Sequence, residues 1–461
     1  MRSLWLLSVL ICSQVAADSF SSAVDDDDLW EQLEDKAELS ADLSYIQRIR
    51  KRKDESGLSD QYLDDLDHGT VQAAGHFRSG WLKQHFALNV SAFGASDLHY
   101  NELATRNIEN EFSFAGQRWG EENNDSAHSG ASLNRVAFKL RTANKLARLK
   151  LGYVPLQVPG IIGVNWSFQS GTYRGAQLKV EPKNWKFVYA WADKYKAPWY
   201  LHTQVFSRLN AWDERAVTSK NQIAYIHGAA ASYQNSDSPW SAALAAGEAK
   251  DFMYTLHAKL AYSPTNWSVS YLVYASDSLE EDDQLYHSWA VQQGIRSSLS
   301  LSQWQLRAEL MHTKAPGLGT YLPRLTRGYA NSQGSNEFWW DSRSDWNNDG
   351  ELAGFVGAWY QFKNTWVGGA WQWGVSGAYG FGTRRWVDGE LDQNASKGSE
   401  SAVNFDISYR VNGGSFEHAE IRLHFTSYHN HQDEQGSFYY ANMFTSERDI
   451  KLLAHFPITL R

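Results

Sequence analysis

Residues 133–153 read LNRVAFKLRTANKLARLKLGY, and the fold follows from how they alternate. Val136, Phe138 and Leu140 alternate with Ala137, Lys139 and Arg141. After the turn-like Thr142-Ala143-Asn144, the residues Ala147, Leu149, Leu151 and Tyr153 alternate with Arg148, Lys150 and Gly152. A period of two gives a strand with two unlike faces, and a short polar break between two such runs gives a hairpin. In a soluble sandwich the apolar face points at a core. In a transmembrane barrel it points at lipid, and Lys139, Arg141, Arg148 and Lys150 face a wet lumen. One hairpin fits either arrangement, so the rest of the chain has to choose.

It chooses through its connections. About eighteen strands can be read between residues 37 and 461. Short connections fall at 82–84, 142–144, 182–184, 235–239, 264–266, 302–303, 363–365 and 412–414. Between them lie mostly long ones, at 51–69, 99–131, 157–172, 196–221, 278–286, 316–351, 383–401 and 429–447, with one lapse near Asp251-Phe252. Long loops gathered at one end, short turns at the other and an even strand count are the pattern of an outer-membrane barrel. The sidedness agrees. Trp185, Phe187, Tyr189 and Trp191 share a face, as do Trp267, Val269, Tyr271 and Val273. Ile450, Leu452, Ala454, Phe456, Ile458 and Leu460 do the same, while Lys186, Ser268, Ser270, Lys451 and His455 fall opposite. The expected fold is therefore all-β, a transmembrane antiparallel barrel with short periplasmic turns and long extracellular loops.

Composition supports this. The chain has 461 residues, of which 43% are hydrophobic, yet its mean hydropathy is −0.51. Beyond the N-terminus no apolar run approaches the length of about twenty that a membrane helix needs. Aromatics reach 14%, with 21 Trp and 23 Tyr. Interfacial girdles and sugar-stacking platforms both use such rings, and most of these are assigned to girdle or lipid face. A net charge of −9 gives no footprint for nucleic acid. Arg2, the apolar Leu4 to Ile11 and the small Val15-Ala16-Ala17 form a secretory signal over 1–17. An acidic tail is expected over 18–36, with Asp25 to Asp28, Glu31, Glu34 and Asp35, and a single barrel domain over 37–461. Cys12 lies inside the signal, so the mature chain has no thiol for disulfides, thiolate metal sites or covalent catalysis.

Three stretches carry distinctive chemistry. Residues 337–351 read EFWWDSRSDWNNDGE. Their Asp345-x-Asn347-x-Asp349-Gly350 looks like the start of a calcium loop, but the twelfth position is Val356 where a bidentate carboxylate is required, so an EF-hand is rejected. The better reading is a long outer loop whose Trp339, Trp340, Asp341, Arg343 and Asp345 can stack on and hydrogen-bond a sugar. Residues 165–176 read NWSFQSGTYRGA and follow the apolar Gly160-Ile161-Ile162-Gly163, a loop poorly suited to bulk water that either folds back into a barrel and narrows it, bringing Trp166 and Tyr173 with it, or packs over the rim. Residues 195–201, YKAPWYL, place Trp199 beside a lysine. There is no G-x-S-x-G or H-E-x-x-H, and His429 and His431 read as solvated loop residues, so neither enzyme chemistry nor a metal or cofactor is expected.

These stretches, with RLHFTSYHNHQD (422–433) and ERDIKLLAHFPITL (447–460), resemble the chitoporin branch of the OprD-like specific porins over roughly Leu39 to the C-terminus. The resemblance implies an outer-membrane barrel, eighteen-stranded in OprD relatives, that passes chitin-derived oligosaccharides by facilitated diffusion. It implies that a loop matching 155–172 folds into the channel, with a second contribution from 316–351. It also implies a row of basic residues along the wall, for which Lys139, Arg141, Arg148 and Lys150 are the candidates. Expected partners are chitooligosaccharides, outer-membrane lipid and lipopolysaccharide, and the barrel-assembly machinery, with one chain rather than a trimer as the unit. Two departures stand out. The chain ends Leu460-Arg461 where such barrels usually end in an aromatic, and a basic wall suits carboxylates better than neutral sugars. A channel for amino acids or other small carboxylates is therefore the alternative within transport, and a non-conducting outer-membrane enzyme or adhesin the alternative outside it.

Overall fold

The computed structural model describes residues 37–54, 61–100, 129–164, 169–196, 203–208, 221–279, 285–317, 336–338, 340–362, 369–414, 416–432, 435, 439–440 and 443–460. The expected signal peptide and acidic tail lie outside these residues. The strands are β1 (Glu38–Lys53), β2 (Tyr62–Arg78), β3 (Phe86–Tyr100), β4 (Ser129–Arg141), β5 (Ala147–Val154), β6 (Thr172–Val180) and β7 (Trp185–Lys196). They continue as β8 (Gln204–Ser207), β9 (Gln222–Ile223), β10 (Ile226–Gln234), β11 (Trp240–Ala249), β12 (Met253–Tyr262), β13 (Trp267–Ser278), β14 (Ala290–Leu301) and β15 (Trp304–Lys314). The last are β16 (Leu352–Gln361), β17 (Gly369–Thr383), β18 (Trp386–Val387), β19 (Glu390–Leu391), β20 (Gly398–Val411), β21 (Glu420–Asn430) and β22 (Glu447–Thr459).

Apart from the short β8, β9, β18 and β19, each strand pairs antiparallel with its neighbours in sequence order, giving an 18-strand barrel. It closes where β1 meets β22, from Ser40 opposite Thr459 to Arg52 opposite Glu447. Closure leaves no unpaired edge, which lipid would not tolerate. No helix among the described residues is long and apolar enough to cross a membrane.

The hairpin at 133–153 forms as read. Val136 to Arg141 of β4 face Tyr153 to Arg148 of β5. Its faces are inverted relative to a soluble protein: Phe138 is 44% exposed, whereas Lys139 and Lys150 are 5% and 2% exposed. The same inversion runs round the barrel, with Phe187, Leu244, Leu260, Tyr271, Leu310, Val356 and Val403 exposed and Arg48, Gln292, Glu309 and Asp449 buried. Rings pair across strands at the short-turn end. Trp240 lies 4.8 Å from Tyr262, Tyr262 lies 5.3 Å from Trp267, Trp304 lies 4.9 Å from Tyr360, and Trp371 lies 4.8 Å from Tyr409. This is the aromatic girdle of one lipid interface. Lys83, Lys145, Lys183 and Ser302 take left-handed backbone in the tight turns below it, as short hairpins require.

One connection differs from its reading. The stretch 51–69 is mostly strand, since β1 runs to Lys53 and β2 starts at Tyr62, with a register shift between Arg50 and Lys51. Its charges look like a loop because the strands stay paired while the side chains on one face turn into the lumen: Arg48, Arg50 and Arg52 are all buried. The 383–401 connection holds the small β18–β19 ribbon and gives way to β20 at Gly398.

Val356 tests the inversion. It is 64% exposed in mid-strand. Val356→Arg is expected to cost about 2–4 kcal/mol in lipid or detergent-lipid mixtures, the penalty for a charge on a barrel's lipid face. Unfolding followed by gel mobility measures it; a neutral result contradicts the lipid-facing assignment.

Candidate functional site

The lumen is not left open by its wall. Two segments turn into it, and the two main buried apolar clusters among the described residues form where they land.

The first segment leaves β5 at Val154. A tight turn pairs Val158 with Ile162, the Val158 N–H donating to Ile162 O over 2.8 Å. Leu156, Val158, Ile161 and Ile162 are buried, so an apolar turn that would sit badly in bulk water packs instead against the inner wall. The Ile161 side chain lies over Gly228 of β10 and Gly247 of β11, and Gly160 (φ +69°) lies against the His257 ring of β12. A β-carbon on Gly228 or Gly247 would collide with Ile161, and one on Gly160 would collide with His257. The Tyr173 hydroxyl, on β6, donates to Gly163 O and ties the segment back to its own side.

The second segment, within 336–351, spans the lumen between two walls. At one end the Glu337 carboxylate accepts from Lys259 Nζ at 2.7 and 2.8 Å and from Arg296 at 3.1 Å. The Phe338 ring packs over Gly294 of β14. The Trp340 indole N–H donates to Glu309 over 2.7 Å, and its ring stacks on Phe355 at 5.2 Å. At the other end Asp341 accepts from Lys451 over 2.5 Å and lies 3.5 Å from His424. Arg343 pairs with Glu447 and sits over the Phe444 ring at 5.2 Å. Ser344 donates to Glu400 over 2.8 Å. Losing water pushes the Glu337 carboxyl up, but Lys259 and Arg296 outweigh this and hold it below the ordinary glutamate range. Burial likewise opposes ionisation of Asp341, and His424 and Lys451 override it.

The basic residues form two rows on the wall. Lys139 lies opposite Lys150 and Arg141 opposite Arg148, and β6 extends the rows with Gln177 and Lys179. Like charges directly across a sheet repel, and neighbours offset this here. Arg141 stacks on Trp81 at 4.1 Å and donates to Gln84 over 2.7 and 2.9 Å. Arg148 and Lys179 share Glu181, at 3.9 and 3.1 Å.

Of the residues singled out for sugar, Trp166, Trp199 and Trp339 lie outside the described residues. Tyr173 and Trp340 are buried, at 1% exposure each, while Asp341 and Arg343 are engaged in the ion pairs above. Asp345 is half-buried. The Asp349 carboxylate of the calcium-like motif takes the Ala315 N–H at 2.7 Å, Arg384 at 2.9 Å and the Trp386 indole N–H at 2.7 Å. His429 and His431 meet edge to face at 4.6 Å, and among the described residues no three His, Cys, Asp or Glu side chains gather as metal ligands do.

Sequence reading passed over Lys259, Arg296, Glu309 and His424, the wall partners of the second segment, and the glycines beneath both segments. Two signals were available: charges at inward positions of otherwise alternating strands, and glycine at inward strand positions, which marks a close approach of other groups.

Comparison with known proteins follows the same line. No protein-family model matches the chain. It is 30% identical over 446 residues to the curated chitoporin of Escherichia coli K12, covering 92% of each. Among solved structures it resembles OccAB1 of Acinetobacter baumannii, with a TM-score of 0.70 and 13% identity over 93% of this chain and 98% of that one. It also resembles OccK2 of Pseudomonas aeruginosa in complex with glucuronate, with a TM-score of 0.66 and 16% identity over 93% and 99%.

The strap's anchors set a pH response. Because Glu337 and Asp341 titrate below their ordinary ranges, their ion pairs are complete at neutral pH and are lost only as pH falls through those lowered values. Open-channel current noise is expected to stay level from about pH 7 to about pH 5 and to rise below about pH 4. Glu337→Gln is expected to raise it already at neutral pH. Noise that climbs between the first two values, or an unchanged variant, contradicts the anchoring role.

Proposed function

The chain belongs to the chitoporin branch of the OprD-like porins, outer-membrane barrels of Gram-negative bacteria, and on that premise we propose that it passes chitin-derived oligosaccharides into the periplasm by facilitated diffusion. The observation that carries this reading is the second segment. An aromatic- and amide-rich stretch is strapped across the lumen instead of lying over the rim, so a sugar on its way through must pass it.

Neutral N-acetylated sugars suit such a passage. Their axial C–H faces are apolar and stack on rings, while hydroxyl and amide groups trade water for side-chain partners. On this reading Trp166, Tyr173, Trp199, Trp339, Trp340, Asp341, Arg343 and Asp345 make up the sugar-handling set. Tyr173, Trp340, Asp341 and Arg343 hold the segments in place, and the neighbouring Trp166 and Trp339 stack on the sugar. Weak binding at successive points permits both entry and exit. Such transport requires no catalysis and no cofactor, and a single barrel suffices for it.

The basic rows favour a second reading, a channel for small carboxylates, in keeping with the glucuronate held by OccK2. Liposome swelling separates the two. For the sugar porin, swelling is faster with N-acetylated chitobiose than with maltose, although maltose is the smaller disaccharide, and Trp339→Ala cuts the advantage by about threefold to tenfold, the worth of one lost stacking partner. Lys139→Ala with Lys150→Ala then shifts ion selectivity and leaves chitobiose uptake unchanged. Uptake that follows substrate charge and falls with the lysines instead establishes the carboxylate channel.

A further inference from the structure

The two inturned segments arise from distant parts of the chain, yet they land on adjoining rings. His257 of β12 and Tyr274 of β13 face each other across the sheet and stack at 4.5 Å with 26° between planes. His257 Nδ1 lies 3.0 Å from Val273 O, which holds the imidazole in place. On one side of this pair sits Gly160 of the first segment, so close that a β-carbon there would enter the imidazole. On the other side the Tyr274 hydroxyl accepts the Glu337 N–H over 3.0 Å, and Phe338 meets the Tyr274 ring edge-on at 6.3 Å. Two residues along β12, Lys259 holds the Glu337 carboxylate. The chain of contact therefore runs from Gly160 through His257 and Tyr274 to Glu337 and Phe338.

We propose that His257 and Tyr274 are positioning residues forming a joint through which the two segments set each other's place, so that the aperture is held as one unit. Three inward glycines serve as sockets around the joint, Gly228 and Gly247 for Ile161 and Gly294 for Phe338. A shift of the first segment presses on the imidazole, the imidazole on the phenol ring, and the phenol ring on the anchor of the second. This inference concerns the channel and is independent of which solute it carries.

Ion conductance in planar bilayers tests it. Ile161→Ala and Phe338→Ala each empty one set of sockets at a distance from the other. With the joint intact, the conductance of the double variant departs from the product of the single effects by about twofold or more, as coupled sites do. With His257→Ala added, the departure vanishes and the single effects multiply. Single effects that multiply in both backgrounds overturn the joint, as does a departure that persists unchanged without the imidazole. Tyr274→Phe provides the milder break where His257→Ala fails to fold: it keeps the ring stack, removes the acceptor for the Glu337 N–H, and is expected to cut the departure without abolishing it. Full retention in that variant also counts against the proposal.

Discussion

The hydrogen-bonded closure of β1 on β22 is the constraint from which the rest follows. A sheet in hydrocarbon cannot leave an edge of unpaired N–H and C=O groups, because each would lack water as a partner. Once the ladder from Ser40–Thr459 to Arg52–Glu447 is closed, each of the barrel strands has one face in lipid and one in an enclosed lumen. The period of two then sorts the side chains. Phe138 and Val356 go out and Lys139, Arg48 and Asp449 go in, the reverse of a soluble protein. The inward groups are too numerous and too charged to form an ordinary core, so they pair. Arg48 and Asp449 do so through three contacts of 2.6 to 3.1 Å.

A closed wall of this size leaves a wide opening, and selectivity requires something to narrow it. The segments at 155–164 and 336–351 supply that, by different physics. The first is apolar and packs by burial against glycine-lined wall. The second is held by ion pairs at both ends, Glu337 with Lys259 and Arg296, Asp341 with Lys451. Desolvated ion pairs add little net stability. Their value here is placement, since breaking one leaves its partner charge uncompensated in the lumen and thereby favours a single position for the strap.

Much of this was legible in the alternation. The hairpin at 133–153, the strand count, the end at which long loops gather and the inward basic rows all follow from period two and turn chemistry. The misreading of 51–69 shows the limit of that signal. Above the lipid a barrel strand no longer needs an apolar face, so RIRKRK and the acidic residues opposite it lose the contrast that marks a strand. The narrowing segments were legible in part. The apolar Gly160-Ile161-Ile162-Gly163 announced a turn that avoids water, whereas the partners of Glu337 and Asp341 come from β12, β14, β21 and β22 and are joined only by closure. Trp340 shows the same limit from the other side: an indole in a polar loop reads as a ligand platform, and only its contacts with Glu309 and Phe355 reveal that it also holds the loop.

The central claim is that a neutral chitin sugar is selected as it passes the strapped segment. Single-channel recording with chitohexaose, then maltohexaose, tests it most directly. The account predicts discrete openings that flicker shut when the chitin sugar is added and stay open with maltohexaose. Openings indifferent to both sugars, or a folded barrel that conducts nothing, would contradict it.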